Sequence, residues 1–194
     1  IGTAYGFNIY MPQEKQFVSY LHDPQNPNSI SDNAIHSILI ENDSTVWIGT
    51  QIGLNKFNPQ TEIFKHFYNE DGLPDNRITG LALEKEGFLW ITTINGVSRY
   101  DTQAKIQQIF TNEDGFQSDE FNRNSIYVTK RKSIFLGTTK GFNIVYPDKI
   151  VHNEIPPQVL LTGFRINNKP VLVGEKNSPL KKHISETKEI TLIN

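Results

Sequence analysis

Five histidines, His22, His36, His66, His152 and His183, and three carboxylate pairs, Glu70-Asp71, Glu113-Asp114 and Asp119-Glu120, are the groups that could do acid–base or metal chemistry in this 194-residue chain. The histidines show no close ligand spacing. A zinc-like ion needs three or four converging donors, so the pattern argues against a metal site and implies no cofactor. Two carboxylates flanking a sugar could cleave a glycosidic bond. Glu70-Asp71 and Glu113-Asp114, however, each stand just before a glycine, Gly72 and Gly115, which reads more simply as turn chemistry. The absence of cysteine excludes disulfides and thiolate chemistry. There remain amide, imidazole and guanidinium groups at Asn33 and His36, Asn76 and Arg77, and Asn122 and Arg123. Such groups suit a hydroxyl-rich ligand, and they equally well bond the backbone of turns.

The elements that would position these residues come from an internal repeat. Ile1-Gly2-Thr3-Ala4-Tyr5-Gly6-Phe7-Asn8, Trp47-Ile48-Gly49-Thr50-Gln51-Ile52-Gly53-Leu54-Asn55, Trp90-Ile91-Thr92-Thr93-Ile94-Asn95-Gly96-Val97-Ser98 and Phe135-Leu136-Gly137-Thr138-Thr139-Lys140-Gly141-Phe142-Asn143 are versions of one segment. Its second glycine recurs at Gly6, Gly53, Gly96 and Gly141, at spacings of 47, 43 and 45 residues. A period of this size must be recognised before any single element is assigned.

Within the unit, Ile78 to Leu83, Phe88 to Thr93, Val97 to Tyr100 and Ile106 to Phe110 read as four short strands, with Glu84 to Gly87 and Asn95-Gly96 as turns. Four antiparallel strands in about 45 residues describe a propeller blade. Val46-Trp47-Ile48 and Phe88-Leu89-Trp90-Ile91 are continuously apolar, as an inner strand covered on both faces requires. Trp47, Trp90 and Phe135 are therefore expected in the core. Gly49 and Gly137 are expected to leave room near the narrow axis, and Gly6, Gly53, Gly96 and Gly141 to supply a positive φ at the turns.

The expected fold is all-β: blades of a partial propeller over 1–150, about three and a half in number, followed by the start of a β-sandwich over 151–194. Residues 1–20 hold the later strands of one blade, 35–67 a second, 78–110 a third, and 125–146 the first three strands of a fourth. Three and a half blades cannot close a ring, so completion by further chain or by copies of this one is expected. Asn153-Glu154-Ile155-Pro156-Pro157 reads as a linker. Gln158 to Ile166 and Val171 to Val173 then read as strands about a turn at Asn167-Asn168-Lys169-Pro170, with one more strand beginning at Ile190.

With 19 basic and 21 acidic residues the net charge is −2, which leaves no excess to hold nucleic acid or an anionic membrane. The longest apolar run, Phe88 to Ile91, is far short of the ~20 residues that a membrane-spanning helix needs.

Asp71-Gly72-Leu73-Pro74-Asp75-Asn76-Arg77-Ile78, Trp90-Ile91-Thr92-Thr93 and Trp47-Ile48-Gly49-Thr50-Gln51-Ile52-Gly53-Leu54-Asn55-Lys56-Phe57 resemble the propeller repeat in the periplasmic sensor regions of bacterial hybrid two-component histidine kinases. Asp114-Gly115-Phe116-Gln117-Ser118-Asp119-Glu120-Phe121-Asn122 resembles the variant in their final blade. The stretch from Pro156 to Val171 resembles the start of the triple-tyrosine β-sandwich that follows. Thr92 departs from the repeat's usual glycine, and Phe135 from its usual tryptophan. The resemblance implies a non-enzymatic sensory module, periplasmic within an inner-membrane-anchored protein. It also implies oligosaccharide ligands and a homodimer of the parent that signals by rearrangement. The alternative is a propeller serving only protein contact or dimerisation. A glycan-active lyase or hydrolase propeller is a more distant one.

Overall fold

The structure, a computed structural model, describes residues 1–84, 87–150, 161–175, 178–187 and 189–191. It divides into two units, Ile1–Ile150 and Val151–Asn194.

The first unit is a series of four antiparallel sheets that follow the repeat. The first holds β1 (Gly2–Thr3), β2 (Gly6–Met11) and β3 (Gln16–Tyr20), the second β4 (Ile35–Asn42), β5 (Thr45–Thr50), β6 (Leu54–Asn58) and β7 (Ile63–Phe67). The third holds β8 (Ile78–Leu83), β9 (Phe88–Thr93), β10 (Val97–Asp101) and β11 (Gln107–Phe110). The fourth holds β12 (Phe121–Val128), β13 (Ile134–Thr138) and β14 (Gly141–Val145). Strands within each sheet pair in sequence order. The first strands β4, β8 and β12 lie side by side, and β12 also reaches β4, so these are the inner strands of propeller blades.

Alternation along the second strand of each blade explains the stacking. Val46 and Ile48 face the preceding blade with Phe7, Ile30 and Phe57. Trp47 faces the following one with Leu73, Ile78, Leu81 and Leu89. One period later Trp90 packs with Phe121, Ile134 and Leu136 of the fourth blade. Phe135, at the same register as Trp47 and Trp90, is 37% exposed and stacks on Phe142, so it is not a core residue as the sequence suggested. The cause is directional: its side of β13 faces away from the third blade, and no described residue covers it as Leu81 covers Trp47.

Each buried indole also has a fixed acceptor. Trp47 Nε1 donates to Glu41 Oε2 at 2.7 Å and Trp90 Nε1 to Glu84 Oε2 at 2.8 Å. Glu84 in turn accepts from Arg99 Nε and Nη2, both at 3.0 Å, and the guanidinium lies 3.8 Å above the Phe88 ring.

Gly49 makes room for the neighbouring blade, not for the propeller axis. A Cβ there would stand 2.5 Å from Ile78 Cγ2. At Gly137 it would stand 2.7 Å from Ser125 Cβ of its own blade. The glycines at 6, 53, 96 and 141 all take the expected positive φ, between 101° and 132°. They follow the two central turn residues, whereas the sequence reading placed Gly96 at the turn centre: Thr93 N donates to Gly96 O across Ile94-Asn95.

Carboxylates before Gly72 and Gly115 cap short 3-10 turns, Asn69–Asp71 and Asn112–Asp114. Asp71 Oδ2 accepts from Tyr68 N at 2.9 Å, and Asp114 Oδ2 from Thr111 N at 2.8 Å.

In the second unit the described residues form one hairpin, β15 (Arg165–Ile166) with β16 (Lys169–Pro170). Asn167 and Asn168 make its two-residue turn at φ 48° and 65°, the left-handed geometry that asparagine tolerates. Lys169-Pro170 is thus strand, not turn, and Leu161–Phe164 and Val171–Val173 are not strands. Among the described residues of this unit, Leu180 and Ile184 are the buried apolar ones. The expected linker at 153–157, the strand portion 158–160, His152 and residues 192–194 lie outside the described residues.

Candidate functional site

At one end of the inner strands, a threonine ends the second strand of each blade and closes the turn that follows. The Oγ1 of Thr3, Thr50, Thr93 and Thr138 donates to the carbonyl of Gly6, Gly53, Gly96 and Gly141 at 3.0, 2.8, 2.8 and 3.2 Å. The same oxygen accepts from the backbone N–H of Tyr5, Ile52, Asn95 and Lys140. The glycine N–H groups then tie each blade to the next: Gly6 N to Asn33 O at 2.8 Å, Gly53 N to Asn76 O at 2.7 Å and Gly96 N to Asp119 O at 2.8 Å.

Asn33 and Asn76 are therefore latches, and the third member of their set is Asp119, not Asn122. Their side chains repeat as well. Asn33 Oδ1 accepts from His22 N, Asn76 Oδ1 from Asn69 N and Asp119 Oδ1 from Asn112 N, at 2.8, 2.7 and 2.6 Å. Asn122 falls one position set later, with His36 and Thr79, and its Nδ2 donates to Thr138 O at 2.9 Å.

The remaining candidates converge at this end. His36 is buried, and its Nδ1–H donates to Ile78 O at 2.8 Å. Desolvation by burial is the main cause that pushes its pKa below the usual imidazole value, and the positive charges of Arg123 and Arg77 act in the same direction. The Ile78 hydrogen bond and the Asp32 carboxylate oppose the shift. Arg77 is exposed, and the Gln51 amide, oriented with its oxygen toward the guanidinium, accepts from Nε at 2.8 Å and Nη2 at 2.7 Å.

Arg123 reaches the cluster through an irregularity of β12. At this end of β4 and β8 one residue bulges, His36 between Ile35 and Ser37, and Thr79 between Ile78 and Gly80. In β12 the pairing skips from Phe121 to Ile126, so residues 122–125 stand opposite Gly137 alone. The two additional residues account for the 45-residue spacing against 43 one blade earlier. Asn124 sits in this bulge at φ 53°. A bulge re-aims side chains at sheet rims, and this one presents Arg123 to solvent.

The other described histidines are spent on hydrogen bonds within the fold. His22 Nδ1–H donates to Ile30 O at 2.7 Å and His66 Nε2–H to Ser29 O at 2.8 Å. His183 Nδ1 pairs with Ser185 Oγ at 2.7 Å. Among the described residues no group of three or more histidines and carboxylates is placed to hold a metal.

Two features were not read from the sequence. One is a cleft of about 400 Å³ between the third and fourth blades, bordered by Phe110, Asp114, Phe116, Asn143, Tyr146 and Lys149. The other is the buried Asn143 Nδ2, which has no hydrogen-bond partner. Its counterpart Asn55 donates to Ser31 Oγ at 2.8 Å, and Gln117 stands where the repeat would place that serine.

Residues 72–95 match the family model described as two component regulator propeller. The curated relative "Histidine kinase P4" of Formosa agariphila is 25% identical over 189 residues, which are 97% of this chain and 10% of that protein. Among solved structures, the extracellular domain of the hybrid two component system BT3049 from B. thetaiotaomicron superposes with a TM-score of 0.64 at 21% identity, covering 74% of this chain and 19% of that one. The corresponding domain of BT4673 from the same organism gives 0.60 at 18% identity, covering 87% and 21%. The sequence resemblance to the two-component propeller repeat and the propeller fold are thereby borne out. The chain spans about a tenth of the curated relative and about a fifth of each solved domain.

Proposed function

We propose that this chain is part of the extracytoplasmic sensor region of a hybrid two-component histidine kinase, that it contributes to recognition of an oligosaccharide, and that the signal passes through rearrangement of paired protomers. The observation that carries the reading is similarity over 97% of the chain to a histidine kinase in which it occupies a tenth of the length. The similarity of fold to extracellular domains of two-component systems supports the same location. Among the described residues no helix is long and apolar enough to cross a membrane.

The geometry supports a binding role at the latch end of the inner strands. A frame of buried strands holds the backbone there, while Arg77 and Arg123 project from loop and bulge to solvent, as residues that meet a ligand on a rigid scaffold do. A ligand can shift an equilibrium between two protomer arrangements only by its difference in affinity for them. The test is calorimetry of the intact sensor region against a panel of oligosaccharides, with protomer association followed by light scattering. Saturable binding that changes the association state is expected; a panel without binding would overturn the reading.

A second reading, a propeller serving only protein contact, is favoured by one observation. Tyr127, Phe135, Phe142 and Ile144 form an exposed apolar row on the fourth blade, at 64, 37, 60 and 41% exposure. It predicts association without any oligosaccharide response.

A further inference from the structure

Arg77 and Arg123 both lie close enough to His36 to act on its charge, and neither forms an ion pair within 4 Å among the described residues. Among the described residues the Arg99–Glu84 pair is the only ion pair within 4 Å, and it lies in the blade interior. Arg77 is held by a neutral amide, Gln51, and so keeps its full charge toward solvent. The guanidinium of Arg123 makes no hydrogen bond or ion pair within the described residues.

Of the acids nearby, Asp32 acts on His36 against the two arginines, which leaves one negative charge facing two positive ones. Asp32 Oδ1 accepts from Ala34 N at 2.7 Å and Asp75 Oδ1 from Arg77 N at 2.8 Å, each closing its own loop. Glu120 is exposed and lies outside ion-pair distance of both arginines. The bulge at residues 122–125 breaks a register that the third blade keeps with one extra residue, and Arg123 is what it presents. His36 completes the group. With Nδ1–H committed to Ile78 O, its Nε2 is left as an acceptor, the role a ligand hydroxyl can use.

We infer that Arg77, Arg123 and His36 form a binding site for the carboxylate or sulfate group of a hydroxylated ligand, the chemistry of an anionic glycan. Gln51 holds the Nε and Nη2 of Arg77, which leaves its Nη1 donors, while Arg123 offers its whole fork, so together they present charge-assisted N–H donors to such an oxyanion. The glycan part of this assignment rests on the sensor reading above. The anion part rests on the charge cluster alone.

The test uses the protein titrated with sodium glucuronate, sodium sulfate and, as the neutral arm, glucose, read from the Nε–H resonances of the arginines. Saturable shifts of Arg77 and Arg123 with glucuronate are expected, and none with glucose. A response to glucuronate alone identifies a carboxylate site, and a response to both anions a general oxyanion site. Arg77→Gln and Arg123→Gln should each weaken binding at least tenfold, while Lys149→Gln, in the lateral cleft, leaves it unchanged. Both arginines are exposed, so circular dichroism should report an unaltered fold. Absence of a saturable shift with either anion, or wild-type affinity in both arginine variants, would overturn the assignment. Neutral oligosaccharides that bind while the anions do not would overturn this inference and leave the sensor reading intact. Anions that bind while the whole oligosaccharide panel is silent would do the reverse.

Discussion

Gly80 and Thr92 are register partners across β8 and β9, and they exchange the sizes found one blade earlier, where Ser37 faces Gly49. Thr92 stands where the repeat has glycine, and the strand beside it gives up its side chain in return. A Cβ at Gly80 would lie 2.9 Å from Thr92 Oγ1 and 2.8 Å from Ile126 Cγ2 of the fourth blade. Gly80→Ala should therefore destabilise the protein by about 1–3 kcal/mol, as overpacking of a filled interior does. Adding Thr92→Gly should recover only part of this loss, because Ile126 still obstructs. Urea denaturation of both variants checks it, and full recovery in the double variant would place the obstruction at Thr92 alone.

Removing the shared acceptor of the third blade tests a different interaction. Glu84 receives the Trp90 N–H and both donors of the Arg99 fork. Glu84→Ala strands a buried indole N–H and a largely buried guanidinium, which should cost about 3–5 kcal/mol. Glu84→Gln keeps an acceptor for Trp90 and should lose roughly half as much, on the order of 2 kcal/mol. The fourth blade needs no such acid, since Phe135 has no N–H. Equal denaturation midpoints for the two variants would show that the indole bond contributes nothing.

At Thr93 the repeat itself offers an internal control. Its hydroxyl donates to Gly96 O and accepts from Asn95 N while fully buried. Thr93→Val keeps the shape and leaves both backbone groups without that partner, for about 1–3 kcal/mol. Thr3→Val removes the same two bonds at the partly exposed Thr3, where water replaces them, and should cost less. Thermal unfolding of the two variants gives the comparison directly.

Period and blade architecture were legible because stacking demands them: a strand covered on both faces must be apolar throughout, as Phe88 to Ile91 is. The positive φ at Gly53 and Gly96 was legible for a similarly local reason. The assignment of Asn122 beside Asn33 and Asn76 slipped by three residues, because the residue type changes along the set: the 43-residue spacing leads from Asn33 and Asn76 to Asp119, and Asn122 stands in register with His36 and Thr79. Phe135 was read as core from its register alone, and register says nothing about whether a neighbour covers that face. In the second unit the apolar run ending at Ile166 suggested a long strand, but among its described residues only Arg165–Ile166 pairs, across a turn that the two asparagines fix by their own backbone preference. The meeting of His36, Arg77 and Arg123 was not legible in their spacing, because three separate blades bring them together.

His36 makes the protein's stability depend on pH in a stated direction. Its pKa is lowered in the folded state, chiefly by desolvation and further by Arg123 and Arg77, so the unfolded chain binds this proton more readily. The stabilisation is complete above the ordinary imidazole pKa of 6.5 and is lost as pH falls from there through the folded value. The melting temperature should decline over that interval, and His36→Gln should flatten the decline. Gln can still donate to Ile78 O, so the variant separates the titration from the hydrogen bond. If an oxyanion occupies the arginine cluster, it offsets the two positive charges that face the imidazole. Sulfate should then flatten the decline in the wild type, by making the protonated ring easier to accommodate and so bringing the folded value closer to the ordinary one, and have no such effect in Arg123→Gln. Parallel melting curves for wild type and His36→Gln from pH 8 to pH 5 would show that burial of this imidazole carries no linkage to folding.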